Sequence, residues 1–340
     1  MALRRTLPRI GFLAGGVASL YLANRLVRRP YSLRGRTVLI TGGSRGLGLL
    51  LAREVVRQGA KVVICGRNQE ALDRAADDLR RSGGQVHAVV CDVTVREDVQ
   101  RLIQEVLGHW GKIDVLINNA GIIQAGPVQV MTIDDFRSAM DTHYWGPLYT
   151  ILETLPSMRR NGGGRIVNIA SIGGKISVPH LLPYSASKFA LVGLSEGLRS
   201  ELAQEGILVT TVCPGLMRTG SPRNALFKGQ HRSEYAWFSV SDSIPGASMS
   251  AERAARQIIR ACCHGRAEIV LSLPAVAAAR VHGVAPGLVA RALGWVNRML
   301  PRAGGIGHRS ARGFESESRL SPSVLTRLSE SAAVRNNEVL

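Results

Sequence analysis

A tyrosine and a lysine in this sequence have the side-chain types and the spacing to take part in one chemical reaction. In "PYSASKFAL", residues 183–191, Tyr184 precedes Lys188 by four positions. Residues four apart on a helix lie on neighbouring turns of one face, so the phenol and the ammonium would be close. A solvated surface pair has the same spacing, and only further residues in a matching arrangement give the pair a chemical role.

The elements that must position this pair follow from an alternation along the chain. Seven short runs rich in β-branched residues are separated by segments with helical spacing. The runs are "TVLIT" (37–41), "KVVIC" (61–65), "VHAVVC" (86–91), "DVLINNA" (114–120), "GRIVNIAS" (164–171), "ILVTTVC" (207–213) and "AEIVLS" (267–272). This β-α-β order predicts an α/β fold with a doubly wound parallel sheet of about seven strands and helices on both faces.

A serine lies at the end of one predicted strand. Ser171 closes the run "GRIVNIAS" and precedes Tyr184 by thirteen positions. Doubly wound sheets place ligands at the carboxyl ends of their strands, so this hydroxyl could hold a substrate oxygen beside the tyrosine. A turn or cap residue is the alternative interpretation of a lone serine.

The first predicted strand runs directly into a glycine-rich turn, "TGGSRGLG" at residues 41–48, and then into a helical segment. Glycines let the chain turn tightly and let a pyrophosphate approach the N–H groups at the helix N-terminus. A glycine cluster alone is an ordinary turn, but between the first strand and first helix of a β-α-β unit it indicates dinucleotide binding. The residues of this turn that we expect to bind the dinucleotide are Gly42, Ser44, Arg45, Gly46, Leu47 and Gly48.

The end of the second predicted strand bears on which dinucleotide binds. A preference for an unphosphorylated adenosine ribose usually requires a carboxylate at this point. The strand ends "ICGRN", which places Gly66 and Arg67 there and no acidic residue. Arg67 and Arg45 could grip a 2′-phosphate by charge-assisted hydrogen bonds, although two solvated arginines would give the same pattern. We therefore predict NADP(H) rather than NAD(H).

Six ordered motifs together resemble the short-chain dehydrogenase/reductase family. They are "TGGSRGLG", "CDV" with Asp92, "NNAG" (118–121), Ser171 in "NIASIGG", "YSASK" and "PGLMRT" (214–219). The Thr-Gly-x-x-x-Gly-x-Gly spacing is similar to that of the single-domain oxidoreductase branch, and the match covers residues 35–273. The resemblance implies a Rossmann-type catalytic domain that forms homo-oligomers. It also implies further cofactor contacts from Asp92, Asn119, Tyr184, Lys188, Pro214 and Thr219.

Within this resemblance the tyrosine and the lysine acquire roles. Hydride transfer to a carbonyl leaves an alkoxide that needs a proton, and a phenol with a pKa near 10 donates reluctantly at neutral pH. A nearby ammonium and the positive nicotinamide of an oxidised cofactor would lower the pKa of Tyr184. Tyr184 would then act as acid in reduction and as base in oxidation. The family implies that Lys188 also bonds the nicotinamide ribose.

One position departs from the family pattern. A helix asparagine, in a motif like Asn-x-x-Gly, usually completes a proton relay with the lysine through water. This sequence has "MDTHYWG", with His143 at the corresponding position. Histidine donates, accepts and carries protons, so we predict a catalytic relay role for His143. A helix histidine packed without chemical duty is the alternative.

The largest segment after a predicted strand end, residues 216–250, is the candidate for substrate selection. It holds Phe227, Tyr235, Trp237 and Phe238 in a chain that is only 5% aromatic. These rings predict an apolar lid over a lipophilic substrate of steroid, retinoid or keto-lipid type. Packing of the same rings against the sheet is the alternative.

The N-terminal segment, residues 1–34, contains the apolar run "IGFLAGGVASLYLA" (10–23) between arginines. A helix extended to Val27 would measure about 27 Å, marginal for a hydrocarbon core of about 30 Å. We predict a membrane anchor that either spans the bilayer or lies on it. More arginines follow the run than precede it, so the catalytic domain would face the cytoplasm. A cleaved signal peptide and a core helix are the alternatives.

The two segments after the last predicted strand are expected to differ in secondary structure and mobility. Residues 274–302 have an amphipathic helical pattern, interrupted at Pro286, with an apolar face beside one that carries Arg291 and Arg298. A membrane interface and docking on protein both fit that pattern. Residues 303–340 are rich in serine and arginine with few aromatics, which predicts a mobile polar tail.

Charge and cysteine content exclude other classes of protein. The net charge of +18 belongs mainly to the chain ends, because residues 1–36 carry eight arginines and no acidic residue. No basic run is interleaved with aromatic residues, so we predict no nucleic-acid partner. The five cysteines show no Cys-x-x-Cys spacing, which indicates reduced thiols, and we predict no metal site.

The sequence therefore predicts a membrane-associated, NADP(H)-dependent oxidoreductase that acts on a lipophilic carbonyl or secondary alcohol. A catalytically silent NADP(H)-binding sensor or scaffold is the alternative. His143 favours that alternative, and Ser171, Tyr184 and Lys188 together speak against it.

Overall fold

A seven-stranded parallel sheet occupies the centre of the computed structural model, which describes residues 30–244, 246–318, 321–323 and 326–339. The described strands are β1 (Thr37–Thr41), β2 (Lys61–Gly66), β3 (Gln85–Val90), β4 (Val115–Asn118), β5 (Gln124–Ala125), β6 (Gly164–Ile169), β7 (Ile207–Pro214), β8 (Met217–Arg218), β9 (Leu226–Phe227), β10 (Met249–Ser250), β11 (Glu268–Leu271) and β12 (Ala311–Arg312). The central order is β11-β7-β6-β4-β1-β2-β3, and all neighbouring pairs are parallel. The predicted doubly wound α/β sheet is confirmed.

Helices cover both faces of this sheet, because each crossover between parallel strands carries the chain over one face. The described α-helices are α1 (Gly46–Arg57), α2 (Gln69–Arg81), α3 (Arg96–Trp110), α4 (Ile133–Met140), α5 (Gly146–Arg160), α6 (Leu182–Glu201), α7 (His231–Ser243), α8 (Ala251–Cys263), α9 (Leu273–Val284), α10 (Pro286–Met299) and α11 (Arg327–Arg335). One apolar core unites α1, α2 and α8 with the sheet through residues such as Val55 and Ile258. A second core unites α3 and α5 with the sheet through residues such as Val106 and Ile151.

Strand β1 lies where the fold creates a ligand crevice. All five of its residues are buried, and it pairs with β2 on one side and with β4 on the other. The strand order reverses between β1 and β4, so the loops that follow these two strands diverge and leave a crevice at their carboxyl ends. Thr41 and Asn118 end the two strands at this point.

A single π-helical turn, Asp141–Trp145, joins α4 to α5. Such turns are rare and concentrate at functional sites, because the extra residue redirects side chains from the regular helical positions. This turn contains His143, whose side chain is buried.

The segment between β7 and β11 contains helix α7. This helix carries Tyr235, Trp237 and Phe238, three of the four aromatic residues that were predicted to form a lid. Phe227 and Tyr235 are buried against each other, with ring centroids 5.4 Å apart. Phe238 is partly buried next to them and borders the crevice, whereas Trp237 is 45% exposed. Phe227 and Tyr235 therefore pack in the interior, Phe238 alone of the four lines the cavity, and the lid role stays a prediction.

The chain after β11 first forms α9 and α10, which meet at Pro286 within the segment expected to be helical. The described part of residues 303–339 then differs from the predicted mobile tail. Strand β12 pairs antiparallel with β9, and the Ser329 hydroxyl on α11 lies 2.9 Å from the Ser243 hydroxyl on α7. Hydrogen bonds hold much of this segment, and a polar composition does not reveal such tertiary contacts.

The predicted membrane anchor, residues 1–34, lies mostly outside the described residues, which begin at residue 30. Among the described helices, none combines the length and the apolar character needed to cross a bilayer.

Candidate active site

Helix α6 carries the tyrosine and the lysine. It begins with Leu182 and Pro183, where the fixed φ of proline suits a helix start and its missing N–H costs no hydrogen bond. Lys188 Nζ lies 5.6 Å from the centroid of the Tyr184 ring. The ammonium is buried and donates a 2.8 Å hydrogen bond to the carbonyl oxygen of Ile169, at the end of β6. The lysine thus faces the sheet, unlike a member of a solvated surface pair.

Ser171 joins this pair from the end of β6. Its Oγ accepts a 3.0 Å hydrogen bond from the backbone N–H of Gly173, which caps a short 3-10 turn. A Cβ at Gly173 would lie 3.2 Å from the Tyr184 ring and 3.4 Å from the serine Oγ. The glycine therefore leaves open the space between the serine hydroxyl and the tyrosine ring.

Burial sets the protonation of the two titratable groups. It raises the pKa of Tyr184, and the hydrogen bond with Ser171 acts in the opposite direction. Burial also lowers the pKa of Lys188 to about 7. The lowered pKa that the sequence predicts for Tyr184 depends on the positive nicotinamide as well as on Lys188, and it stays a prediction. Desolvation disfavours the phenolate more than the neighbouring hydroxyl favours it.

His143 lies beside the pair with both ring nitrogens engaged. Nε2 accepts a hydrogen bond from the backbone N–H of Ile122 at 3.1 Å, and Nδ1 lies 2.8 Å from Ser187 Oγ. Since Nε2 accepts, the network assigns the proton to Nδ1. Burial, followed by the charge of Lys188, lowers the pKa of His143 well below its ordinary value. The neutral ring stands edge-on to Tyr184, with centroids 5.3 Å apart. These contacts position the ring, and the relay role stays a prediction.

The glycine-rich turn joins β1 to α1. Gly42 has a φ of +62°, a left-handed conformation that favours glycine, and a Cβ at Gly48 would collide with the Gly42 carbonyl oxygen. Asn119 Nδ2 donates to the carbonyl oxygens of Thr41 and Gly42, each at 3.1 Å. Asn119, which directly follows strand β4, therefore fixes the turn, a structural role that sequence reasoning missed.

Two arginines, Arg45 and Arg67, line the crevice at the end that contains the glycine-rich turn. Arg45 Nε lies 3.8 Å from a carboxylate oxygen of Glu338, and an Arg67 guanidinium nitrogen lies 3.8 Å from Asp92 Oδ2. Asp92 also accepts hydrogen bonds from the N–H and hydroxyl of Thr94, at 3.0 and 2.8 Å. Both arginine contacts are long, so each guanidinium keeps N–H donors that a phosphate could use.

One cavity of about 610 Å³ connects these groups. The predicted site residues that line it are His143, Ser171, Tyr184, Lys188, Gly42, Ser44, Arg45, Gly46, Leu47, Arg67, Asp92, Asn119, Pro214 and Thr219. Gly48 does not line the cavity, and its contribution is to the turn itself. The candidate catalytic cluster and the glycine-rich turn therefore belong to one crevice.

Two buried carboxylates in the cavity wall were not predicted. Asp242 lies on α7 and Glu338 near the C-terminus. Burial raises the pKa of Asp242 to about 8 and that of Glu338 to about 7, while the charges of Arg218 and Arg45 respectively act in the opposite direction. Asp242 follows the cavity residue Phe238 by four positions, a helical spacing that could have indicated it. The local sequence around Glu338 contains no such signal.

The groups along the cavity fit a nicotinamide dinucleotide. A glycine turn opens a helix at one end beside two arginines, which suits phosphates. Buried Lys188 and partly buried Tyr184 lie at the other end of the cavity, where they would contact hydroxyl and carbonyl groups of a ligand. Ser44, Arg45 and Leu47 would hold the phosphate half, and Lys188 and Tyr184 the nicotinamide half.

A family comparison agrees with this arrangement. The profile of the short chain dehydrogenase family matches residues 36–226. The chain belongs to the short-chain dehydrogenase family. A mouse (Mus musculus) relative, dehydrogenase/reductase SDR family member 7B, is 34% identical over 282 residues, or 81% of this chain and 85% of the relative. The short-chain dehydrogenase family is one of oxidoreductases, which makes this chain an oxidoreductase of that family.

Solved structures of short-chain dehydrogenases resemble this chain along most of their length. One from Burkholderia phymatum, in complex with NAD, superposes with a TM-score of 0.70 at 26% identity, covering 76% of this chain and 96% of its own. A variant of the actinorhodin polyketide ketoreductase with NADPH gives a TM-score of 0.63 at 31% identity, covering 70% and 95%. A nicotinamide cofactor is thus supported for this fold and family.

Proposed function

We propose that this short-chain dehydrogenase transfers a hydride between NADP(H) and a lipophilic carbonyl or secondary alcohol. The observation that carries the proposal is the single cavity, which has Ser171, Tyr184 and Lys188 at one end and the glycine-rich turn at the other. A catalytically silent binder would have no need to keep the serine, tyrosine and lysine together at a buried site.

The chain's own residues divide the proton chemistry. The nicotinamide, when bound, supplies or receives the hydride. Ser171 Oγ, which lines the same cavity as Tyr184, would hold the substrate oxygen beside the phenol. Tyr184 would give its hydroxyl proton to the developing alkoxide in reduction and take a proton from the alcohol in oxidation. Lys188, which is held by its hydrogen bond to the carbonyl oxygen of Ile169, would place its amino group beside the Tyr184 ring. Its pKa is about 7, and in its protonated form the lysine would stabilise the phenolate form of Tyr184.

Two observations support NADP(H) over NAD(H). Strand β2 ends at Gly66, where a carboxylate for the ribose hydroxyl would be expected, and Arg67 follows with 65% of its side chain exposed. Arg45 contributes a second guanidinium from the glycine-rich turn. The solved relatives hold either cofactor, NAD in one and NADPH in the other, so the arginines carry this proposal.

The substrate end of the cavity supports a lipophilic substrate. Apolar side chains of Ile123, Val178, Leu181 and Phe238 line it near Tyr184. One of the solved relatives is a polyketide ketoreductase, which supports a keto-lipid type of substrate among the steroid, retinoid and keto-lipid classes. Buried Asp242 in the same wall adds one polar group that a substrate hydroxyl could meet.

Membrane association, a cytoplasm-facing catalytic domain and a homo-oligomer form a further part of the proposal. Helix α10 exposes Leu288, Trp295 and Met299 at positions that share one face, and Arg298 lies 5.0 Å over the Trp295 ring. Apolar and basic side chains on one exposed face suit an anionic membrane surface. The orientation rests on the arginines around residues 10–23, and the oligomer rests on the family alone.

The test is NADPH consumption by the full chain with a panel of steroid, retinoid and keto-lipid carbonyls, repeated with NADH. We expect turnover with NADPH in preference to NADH, and we expect Tyr184→Phe to lower kcat about 10²- to 10⁴-fold while NADPH binding persists. Tyr149→Phe is the matched control, because Tyr149 packs against the core away from the cavity. Saturable NADPH binding with no turnover of any panel member would favour the silent sensor or scaffold.

A further inference from the structure

The segment 336–338 at the C-terminus lies directly on the glycine-rich turn. The backbone N–H of Gly46 donates a 2.8 Å hydrogen bond to the carbonyl oxygen of Asn336. Asn337 Nδ2 donates to the carbonyl oxygens of Ser44 and Ala71, at 2.8 and 3.0 Å. The segment therefore already uses polar backbone groups at the start of α1, where dinucleotide phosphates bind in such folds.

Glu338 places a carboxylate at the same position. Its side chain is only 5% exposed, and Asn224 Nδ2 donates a 2.6 Å hydrogen bond to its Oε2. Its other carboxylate oxygen fills the space that the missing side chain of Gly46 leaves open, since a Cβ there would collide with it. Arg45 Nε lies 3.8 Å from the carboxylate. A carboxyl group thus lies between a helix N-terminus and an arginine, surroundings in which a phosphate also binds, and it is ionised above a pH of about 7.

A phosphate bound here would be repelled by the ionised Glu338 carboxylate, even though Arg45 keeps N–H donors for it. A cofactor phosphate would need the N–H of Gly46 that bonds Asn336, and the guanidinium of Arg45 that faces Glu338. Only a short segment would have to leave, because α11 is separately attached to α7 through Ser329.

We propose that residues 336–338 occupy the phosphate end of the dinucleotide site, that Glu338 competes there with the cofactor, and that cofactor binding displaces the segment. This inference rests on the proposed nicotinamide-dependent function. It makes Glu338 a determinant of cofactor affinity that lies far in sequence from the glycine-rich turn.

The test measures the Kd of NADPH for the full chain and for Glu338→Gln by isothermal titration calorimetry at pH 8, where the Glu338 carboxyl is ionised. We expect the variant to bind NADPH about 5-fold more tightly or better, because the competing charge is gone while the shape is kept. Glu317→Gln is the matched control, since Glu317 is an exposed acid of the same C-terminal region paired with Arg223. An unchanged or weaker affinity of Glu338→Gln would overturn the proposal.

A second measurement follows the displacement itself. The N–H groups of Asn336 and Glu338 donate to the carbonyl oxygens of Ala332 and Ala333, each at 2.9 Å, so hydrogen exchange reports on the segment. We expect NADPH to speed exchange at residues 336–338, and slower exchange would show that the segment closes over the cofactor instead. Absence of NADPH and NADH binding in both proteins would count against the proposed function as well, whereas equal binding would count against the competition alone.

Discussion

Asp242 shows how one buried side chain can tie stability to pH. Burial raises its pKa from 3.8 to about 8, with the charge of Arg218 acting in the opposite direction and Tyr184 nearby in the same cavity. Between pH values of about 4 and 8, the Asp242 carboxyl is protonated in the folded chain and ionised in the unfolded chain. The contribution of Asp242 to folding stability therefore falls as pH rises from about 4 to 8, and it is constant below that window.

We expect Asp242→Asn to abolish this loss of folding stability with rising pH, because an amide does not titrate. The Tm of the wild type would fall more steeply from pH 5 to pH 8 than that of the variant, as measured by circular dichroism in constant salt. Exposed Asp134→Asn provides the control for loss of a carboxylate as such. Parallel Tm curves for the wild type and Asp242→Asn would contradict the linkage.

The candidate site was largely predictable where function depends on spacing along one element. Tyr184 and Lys188 share one helix, and the glycine-rich turn is continuous in sequence, so local patterns indicated both. The effect of burial on the pKa of Tyr184 was not predictable, because desolvation depends on packing around it. Glu338 was not predictable either, since no local pattern places an acid from the C-terminus on residues near the start of the sheet.

At the level of elements, the junction of β1 and α1 depends on glycine. A Cβ at Gly48 would collide with the carbonyl oxygen of Gly42, whose own backbone is left-handed. We expect Gly48→Ala to lower the free energy of unfolding by about 1–3 kcal/mol, because the backbone of the turn must shift. NADPH affinity would fall with it. Urea denaturation and calorimetry measure the two effects.

Helix α6 supplies the matched control for this substitution. Gly193 lies within it, and an added Cβ there would meet only open space. We expect Gly193→Ala to raise the free energy of unfolding by about 0.5–1 kcal/mol, because alanine is the better helix former. Equal changes in the free energy of unfolding for Gly48→Ala and Gly193→Ala would show that the collision at the turn does not destabilise the protein.

The elements themselves were predictable to different degrees. The five inner strands of the central sheet are mostly buried, whereas the edge strands β3 and β11 are partly exposed, and all seven appear in sequence as β-branched runs that were found. Strands β5, β9 and β12 have two residues each, too few to show a period. Their pairing connects distant parts of the chain, and so the folded C-terminal segment was predicted as a mobile tail.

For the whole molecule, the outer face of α9 and α10 is the most unusual surface among the described residues. Leu273 and Val284 on α9 are 86% and 89% exposed, and Trp295 and Met299 on α10 are 68% and 67% exposed. Apolar side chains of this size lose favourable burial free energy when they remain in water. Arg291 and Arg298 are exposed on the same helix, so the surface combines apolar and positive groups.

The proposal that this surface meets a membrane predicts vesicle binding by the chain lacking residues 1–29. We expect that protein to sediment with anionic phospholipid vesicles, and we expect Trp295→Asp with Met299→Asp to weaken binding at least about ten-fold, because burial of two apolar side chains is lost and negative charge is added. Asn297→Asp is the control, since it adds a charge at an exposed position of the same helix without removing an apolar group. If the double variant and the control sediment alike, charge alone accounts for the binding. If the parent chain does not sediment, the face on α10 makes no membrane contact, and any association must come from the N-terminal segment.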